Sequence, residues 1–314
     1  MTRISAIIPA YNCEPWLRRA VESLLATGQA GLEIVIIDDG STDDSFDAAN
    51  QLALEHSTTV FVHHHPQHAN LGVSATRNLG VERSRGELIC FLDGDDFVYP
   101  HRFERAISIL ADRPDVDGVH ELAEIVFESP EAAKQWWVNE LNLFGFTDSI
   151  PPEELLWSLL GGRCWATSAV LVRKNLFERT GVFDPALSIA EDCHLWFRMA
   201  QSGKLVQGDL KRPVSAYWRH TRSAYRADPD NRLHMIRSMT MFRDWAARHG
   251  ATADRMRRIE QSIHEYVNRG LTSARQSKQR GLAWKMAWQA VRQMPSLTFN
   301  RMFRGHLARM AIGR

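Results

Sequence analysis

The chain has four cysteines, Cys13, Cys90, Cys164 and Cys193, too scattered for any CxxC spacing. That scarcity argues against a zinc ribbon or a disulfide framework and fits a reducing cytosol. No GxGxxG follows the first strand-like run and no GxxxxGK[ST] occurs, so a dinucleotide-binding enzyme and a P-loop NTPase both lose their main support. No stretch reaches the roughly 18 apolar residues of a membrane span. The opening MTRISAIIPAYN lacks the apolar core of a signal peptide. The expectation is a cytoplasmic protein, free or peripheral on the inner face of the membrane. A formal net charge of +1 gives no case for a nucleic-acid partner. What remains is an ordinary globular composition, 44% hydrophobic and 24% charged, in a chain of 314 residues. That length holds one large domain or a main domain with an appendage.

The first half alternates strand-like and helix-like segments. Ile4 to Pro9, Glu33 to Ile37, Thr59 to His63 and Glu87 to Leu92 are short apolar or β-branched runs; helical spacing occupies Glu14 to Ala26, the run up to about Glu55, and Ser74 to Arg83. Repeated βα units predict a doubly wound, mainly parallel sheet. Further strands are expected at Val116 to Phe127, Ala169 to Val172 and in PVSAYW, with helices at Lys174 to Arg179 and from Glu191 to about Ser202. The Trp- and Phe-rich stretch Pro130 to Leu160 is less regular and suits a cleft cover. From about Asn231 the pattern is helical, with breaks expected near Gly250, Gly270, Gly281 and Pro295. The change of pattern near 220 to 230 divides the chain into 1–225 and a helical 226–314.

The chemistry concentrates where apolar runs end. Asp93, Gly94, Asp95 and Asp96 directly follow the run ending at Leu92, and clustered carboxylates at a strand's C-terminal end repel one another unless a cation sits between them. A divalent ion, Mn²⁺ or Mg²⁺, carrying phosphate is the simplest occupant; the alternative is a solvated acidic turn. After the first strand the turn reads Pro9, Ala10, Tyr11, Asn12, and after the second Asp38 and Asp39. Tyr11 can lie against a planar base or pack in its turn. The two carboxylates can accept from a base or ribose, or cap. In NLGVSATRN, Ser74 is placed to cap a helix, and Arg77, one turn in, offers a guanidinium suited to phosphate or simply to solvent. His63, His64, His65 and His68 alternate along a strand and so do not converge on one ion.

AIIPAYN, IIDDGSTDDS, NLGVSATRN with Gly80, and GELICFLDGDD occur in that order with short spacings, and the likeness continues through SAVLVRKNLFERTGVFDPAL and AEDCHLWFRMAQSG to about Tyr225. Together these closely resemble the GT-A glycosyltransferases of the family 2 type, over roughly two-thirds of the chain. The resemblance implies an α/β fold of GT-A type and inverting sugar transfer from a nucleotide-sugar donor, expected to be a UDP-sugar, to a saccharide or lipid-linked saccharide of a surface glycan. It makes Pro9, Tyr11, Asn12, Asp38, Asp39, Arg77, Asp93 and Gly94 the nucleotide-binding candidates, and Asp93 with Asp95 the DxD metal pair. Asp192 is implied as the base that takes the acceptor proton, supported by Glu191. His220, in YWRHTRSAYR, falls where similar enzymes carry a metal-coordinating histidine, and neutral imidazole suits Mn²⁺; Arg222 and Ser223 are alternative diphosphate contacts. The sequence departs from processive members in lacking QxxRW and membrane spans, which favours single addition. Cys193 and His194 stand where an acidic or aromatic residue is commoner. Gly161, Gly162, Arg163 and Trp165 are acceptor-loop candidates, Trp165 either on a sugar face or in the core. A nucleotidyltransferase would need a Gly-rich loop where PAYN stands, and a non-catalytic nucleotide-sugar binder would have no use for the Asp192 carboxylate.

The last forty residues set Trp284, Trp288, Phe299, Met302 and other apolar side chains among Arg275, Lys278, Arg280, Lys285, Arg292, Arg301, Arg304, Arg309 and Arg314, with no Asp or Glu. Such a segment suits an anionic membrane surface, or an appendage packed on the main domain or on a second subunit.

Overall fold

A computed structural model describes residues 3–133, 142–220 and 231–311. Its strands are β1 (Ile4–Ala10), β2 (Leu32–Asp38), β3 (Val60–His64), β4 (Leu88–Phe91), β5 (Phe97–Val98), β6 (Gly118–His120), β7 (Ala123–Phe127), β8 (Leu143–Phe144), β9 (Val170–Arg173), β10 (Leu205–Gln207) and β11 (Ser215–Arg219). The helices are α1 (Glu14–Leu25), α2 (Ser45–Glu55), α3 (Val73–Arg83), α4 (Glu104–Asp112), α5 (Pro130–Ala133), α6 (Pro152–Leu160), α7 (Leu176–Thr180), α8 (Glu191–Ser202), α9 (Asn231–Arg248), α10 (Ala253–Gln276), α11 (Arg280–Gln293) and α12 (Arg301–Ala311).

The main sheet has seven strands in the order β10-β6-β9-β4-β1-β2-β3. β4, β1, β2 and β3 run parallel, as do β10 and β6, while β9 is antiparallel to both its neighbours. The βα alternation forces the parallel part, because each return crosses over through a helix. Ile4, Ala6 and Ile8 of β1, with Leu88 and Cys90 of β4, join the core on one face beneath α1, α2 and α4; Ile7, Ile89 and Phe91 join the core on the other. Both faces are therefore covered, which is why these strands read as unbroken apolar runs.

A second sheet, β5-β11-β7-β8, flanks the first. Its β7 and β11 are parallel; β5 and β8 pair antiparallel at its edges. The strand region expected at Val116 to Phe127 is divided at Glu121 and Leu122 into β6 and β7, which belong to different sheets.

The helical region packs on the back of α8. Phe242 of α9 lies 5.5 Å, centroid to centroid, from Phe197 of α8, and one apolar cluster runs from Ile89 and Phe91 through Trp196 to Leu271 of α10 and Phe303 of α12. On α10, Ile259, Ile263, Val267, Leu271 and Ala274 recur every three or four residues and form its buried stripe. The break expected near Gly270 is absent, because Gly270 lies inside α10; the one expected near Gly281 falls just before it, between α10 and α11. A Cβ on Gly270 would come within 2.3 Å of Met286 Cε, so this glycine serves the close crossing of α10 and α11. The break before Gly281 occupies 277–279, where Lys278 adopts φ 57°. The division at 225, with Arg222 and Ser223, lies outside the described residues.

Candidate active site

Three βα turns meet at the C-terminal ends of β1, β2 and β4. Asn12, held at φ 50°, accepts from the Thr42 amide at 2.8 Å through its side-chain oxygen, and its own amide donates to Ser41 Oγ at 3.2 Å, so the first turn is tied to the second. The acidic turn is pressed against the first: a Cβ on Gly94 would sit 2.6 Å from Cys13 Sγ and 3.5 Å from the Pro9 carbonyl. Only glycine allows that approach. Tyr11 projects from this junction, 51% exposed.

Asp38 and Asp39, paired as base or ribose contacts in the sequence reading, are both buried and serve different local ends. Asp38 accepts from the amides of Gly40 (3.1 Å) and Ser41 (3.3 Å), closing its own turn. Asp39 reaches across to the amides of Leu71 (2.7 Å) and Gly72 (3.0 Å), placing a carboxylate at the start of α3, with His65 Nε2 at 3.6 Å. Ser74 does not cap α3 as expected. With Asp39 occupying that end, its hydroxyl donates to the Leu187 carbonyl at 2.9 Å. Asn78 adds two hydrogen bonds to the Phe183 backbone, so α3 fixes the segment leading into α8.

Arg77 is the hub. Fully enclosed, it donates through Nη1 to Glu191 Oε1 and through Nη2 to Asp93 Oδ1, each at 2.7 Å, with Phe183 5.2 Å from its guanidinium carbon. One cation thus joins the DxD turn to the acidic start of α8. Burial works against the guanidinium's charge, but Asp93 and Glu191 outweigh it and its pKa is raised. The carboxylates still exceed what one guanidinium can neutralise. Burial, then the neighbouring Asp192, lifts Glu191 to about 7 against the pull of Arg77. Asp192 is raised as well, mainly by desolvation, although Arg77 opposes this. Ala190, immediately before the pair, sits at φ 60°, a left-handed conformation that costs a non-glycine residue about 1–2 kcal/mol. The structure tolerates it directly beside the clustered charge, where strain commonly accompanies function.

Asp95 lies opposite His220, Nε2 to Oδ2 3.0 Å, and Trp16 stacks on the imidazole at 4.0 Å. The side chains of Asp93 and Asp95 are 30% and 25% exposed, so both are within reach of a ligand in the cleft. Two carboxylates and a nearby imidazole are a donor set that fits Mn²⁺ or Mg²⁺. The expected trio is nevertheless not a ready-made cage. Among the described residues no three His, Cys, Asp or Glu converge closely enough to hold an ion, because Asp93 is drawn to Arg77. Asp96 is buried, accepts from the Trp218 amide at 2.8 Å, and has a pKa well above the carboxylate range through burial and the charges of Asp95 and Asp93.

Two supporting residues escaped the sequence reading. Arg19, on the polar side of α1, donates to the Asp95 carbonyl at 2.8 Å and stacks over Trp218 at 4.3 Å. Trp16 reads as one more apolar position of α1, yet it backs His220. Both depend on β11 lying beside α1, which local periodicity does not encode. Of the acceptor-loop candidates, Trp165 is buried and stacks on His120 at 4.4 Å, so it belongs to the core. Gly161, Gly162 and Arg163 remain at the surface or partly so.

Sheet order and strand-end carboxylates together define a GT-A type fold. Residues 5–156 match the family model described as Glycosyl transferase family 2, and the chain carries a glycosyltransferase domain of that family. It is 30% identical over 214 residues to the uncharacterised glycosyltransferase EpsJ of Bacillus subtilis, covering 66% of this chain and 59% of that protein. With an uncharacterised glycosyltransferase of Rickettsia felis it shares 29% identity over 205 residues, 62% of this chain and 31% of the relative. The matches thus span less than two-thirds of these relatives' length. Among solved structures, S. aureus TarS 1-349 in complex with UDP-GlcNAc superposes with a TM-score of 0.67 at 15% identity, over 94% of this chain and 80% of that one. The mannosyltransferase PcManGT from Pyrobaculum calidifontis, in complex with GDP-Man and Mn2+, gives 0.55 at 18%, over 99% and 86%. At such identities the likeness is one of fold, and it extends over the helical region. No helix among the described residues is long and apolar enough to cross a membrane.

Proposed function

We propose that this chain is an inverting, metal-dependent glycosyltransferase that moves a sugar from a nucleotide-sugar, a UDP-sugar, to a hydroxyl of a saccharide or lipid-linked saccharide in surface-glycan synthesis. The observation that carries the reading is the Arg77 bridge, which sets a donor-side carboxylate, Asp93, and an acceptor-side pair, Glu191 and Asp192, around one buried cation. Tyr11, exposed at the first turn, lies against the base; Pro9, Asn12, Asp38 and Asp39 shape the turns that receive the nucleoside, and Gly94 lets the acidic turn close on them. Asp93, Asp95 and His220 would hold a divalent ion, which when bound neutralises charge on the departing diphosphate. Asp192 removes the proton of the acceptor hydroxyl as that oxygen attacks the anomeric carbon from the face opposite the leaving group. Glu191, fixed by Arg77, anchors the start of α8 beside Asp192, and the burial of Asp192 favours proton uptake.

The outer face of α11 supports a location at an anionic membrane surface, where lipid-linked acceptors reside. Trp284 and Trp288 lie one turn apart and are 46% and 72% exposed, with Lys285 and Arg292 exposed beside them.

The test is release of UDP from a panel of donors with and without Mn²⁺, compared with Asp192→Asn and Asp95→Ala. Metal-dependent turnover that Asp192→Asn abolishes supports the reading. A wild type that binds UDP yet turns over no donor, indistinguishable from Asp192→Asn, would overturn it.

A further inference from the structure

Cys164 and Cys193 are 29 residues apart in sequence, yet their sulfurs lie 3.4 Å from each other. Cys193 is buried in the first turn of α8, directly after Asp192, whose Oδ1 accepts from the Cys193 amide at 2.7 Å. Cys164 is partly exposed on the stretch 161–165 that leaves α6. That stretch is held on both sides: Arg269 donates to the Gly161 carbonyl at 2.9 Å, and Arg163 pairs with Asp148. A disulfide has sulfurs about 2.05 Å apart, so closure by about 1.4 Å is needed, within reach of small side-chain rotations. The other cysteines, Cys13 and Cys90, are buried elsewhere and serve as internal controls.

We propose that Cys164 and Cys193 are a dithiol modification site, at which a small disulfide such as glutathione disulfide is reduced and an intramolecular disulfide ties the 161–165 stretch to the first turn of α8. The Cys193 thiol is held protonated by its contact with Cys164, by burial and by Asp192, so the partly exposed Cys164 attacks first. Its thiolate breaks the S–S bond of glutathione disulfide, forming a mixed disulfide and releasing one glutathione thiolate, which takes up the Cys164 proton. Cys193 then passes its proton to solvent and attacks the Cys164 sulfur, expelling the second glutathione, which is protonated in turn. Two electrons pass from the protein thiols to glutathione disulfide, giving one protein disulfide and two glutathione thiols. The link pins the residues around Asp192 to the candidate acceptor loop, and oxidation lowers transfer. This last consequence rests on the proposed function; the modification does not.

The test uses the full chain incubated with glutathione disulfide and mapped without reduction. The expected result is a single cross-linked peptide joining Cys164 to Cys193, lost on adding dithiothreitol, and absent in Cys164→Ser and Cys193→Ser variants that keep the wild-type melting temperature within a few degrees. A persistent mixed disulfide at Cys164, or cross-links involving Cys13, Cys90 or a second molecule in place of this one, would overturn the site. Sugar transfer by the mapped, oxidised protein is expected to fall at least threefold and recover on reduction, with Cys164→Ser unresponsive. Unchanged transfer with the disulfide confirmed would overturn the coupling while leaving the site intact.

Discussion

The cleft and the helical region bury opposite kinds of matter. Along the cleft the protein encloses Asp96, Glu191 and the Arg77 guanidinium, whereas α9 to α12 enclose mostly apolar side chains such as Phe242, Leu271 and Phe303 and leave their cations outside. Buried charge stabilises a fold weakly at best, while burying a large apolar side chain contributes about 1.5–3 kcal/mol. The fold gets its stability from one region and gives some up in the other. The helical region supplies what the cleft forgoes.

The largest expected effect is on chemistry. Asp192→Asn should lower transfer by about 10²–10⁴-fold, the usual range for losing a general base, while UDP affinity measured by calorimetry stays near wild type. A loss of both together would mean that the α8 carboxylates act on the donor rather than the acceptor. Arg77→Met should fail twice, losing activity and about 3–5 kcal/mol of stability in denaturant titrations, because it strands Asp93 and Glu191. Phe242→Ala should cost a similar 3–5 kcal/mol but leave kcat intact at temperatures where the protein stays folded. If Phe242→Ala removed activity in a fully folded protein, the contrast between the regions would collapse.

Acidity should separate them by sign. Glu191 is raised from about 4.5 to about 7, so the folded state holds this proton more tightly and stability from it is lost as pH rises through that window. Asp192 and Asp96 shift in the same direction. In the helical region burial lowers His264 and His306, so there stability is lost as pH falls below about 6.5. Melting temperatures from pH 5 to 8 should therefore decline less steeply in Glu191→Gln, by a few degrees. The smallest effect belongs to the surface: replacing Trp284 and Trp288 by serine should weaken cosedimentation with anionic vesicles by roughly tenfold at low salt and leave melting almost unchanged. If the double variant instead dissociated a dimer and kept its vesicle binding, the face would be a subunit contact.

The elements that carry the site were legible because each is a local pattern. β1 and β4 are continuous apolar runs, and α8 begins at an acidic pair and ends before Gly203, so its limits could be read from the sequence. The separate tasks of Asp38 and Asp39 could not be read, since both are strand-end carboxylates and only the path of the 70–72 loop distinguishes them. The second sheet was hidden for a related reason: β5, two residues long, makes sense only beside β11, more than a hundred positions away. Gly270 misled because glycine marks a helix end or a tight crossing equally well until the opposing Met286 is known.

The continuity of the core behind α8 bears on how this chain can be cut or recombined. Phe197 and Met199 look away from the cleft, toward α9 and its neighbours. A fragment ending near residue 230 would keep every candidate ligand and carboxylate in sequence yet present that greasy rear wall to water. The helical tail is accordingly the back plate against which the acidic start of α8 is aimed, and grafting the first 230 residues alone onto another scaffold should transplant the motifs without their alignment.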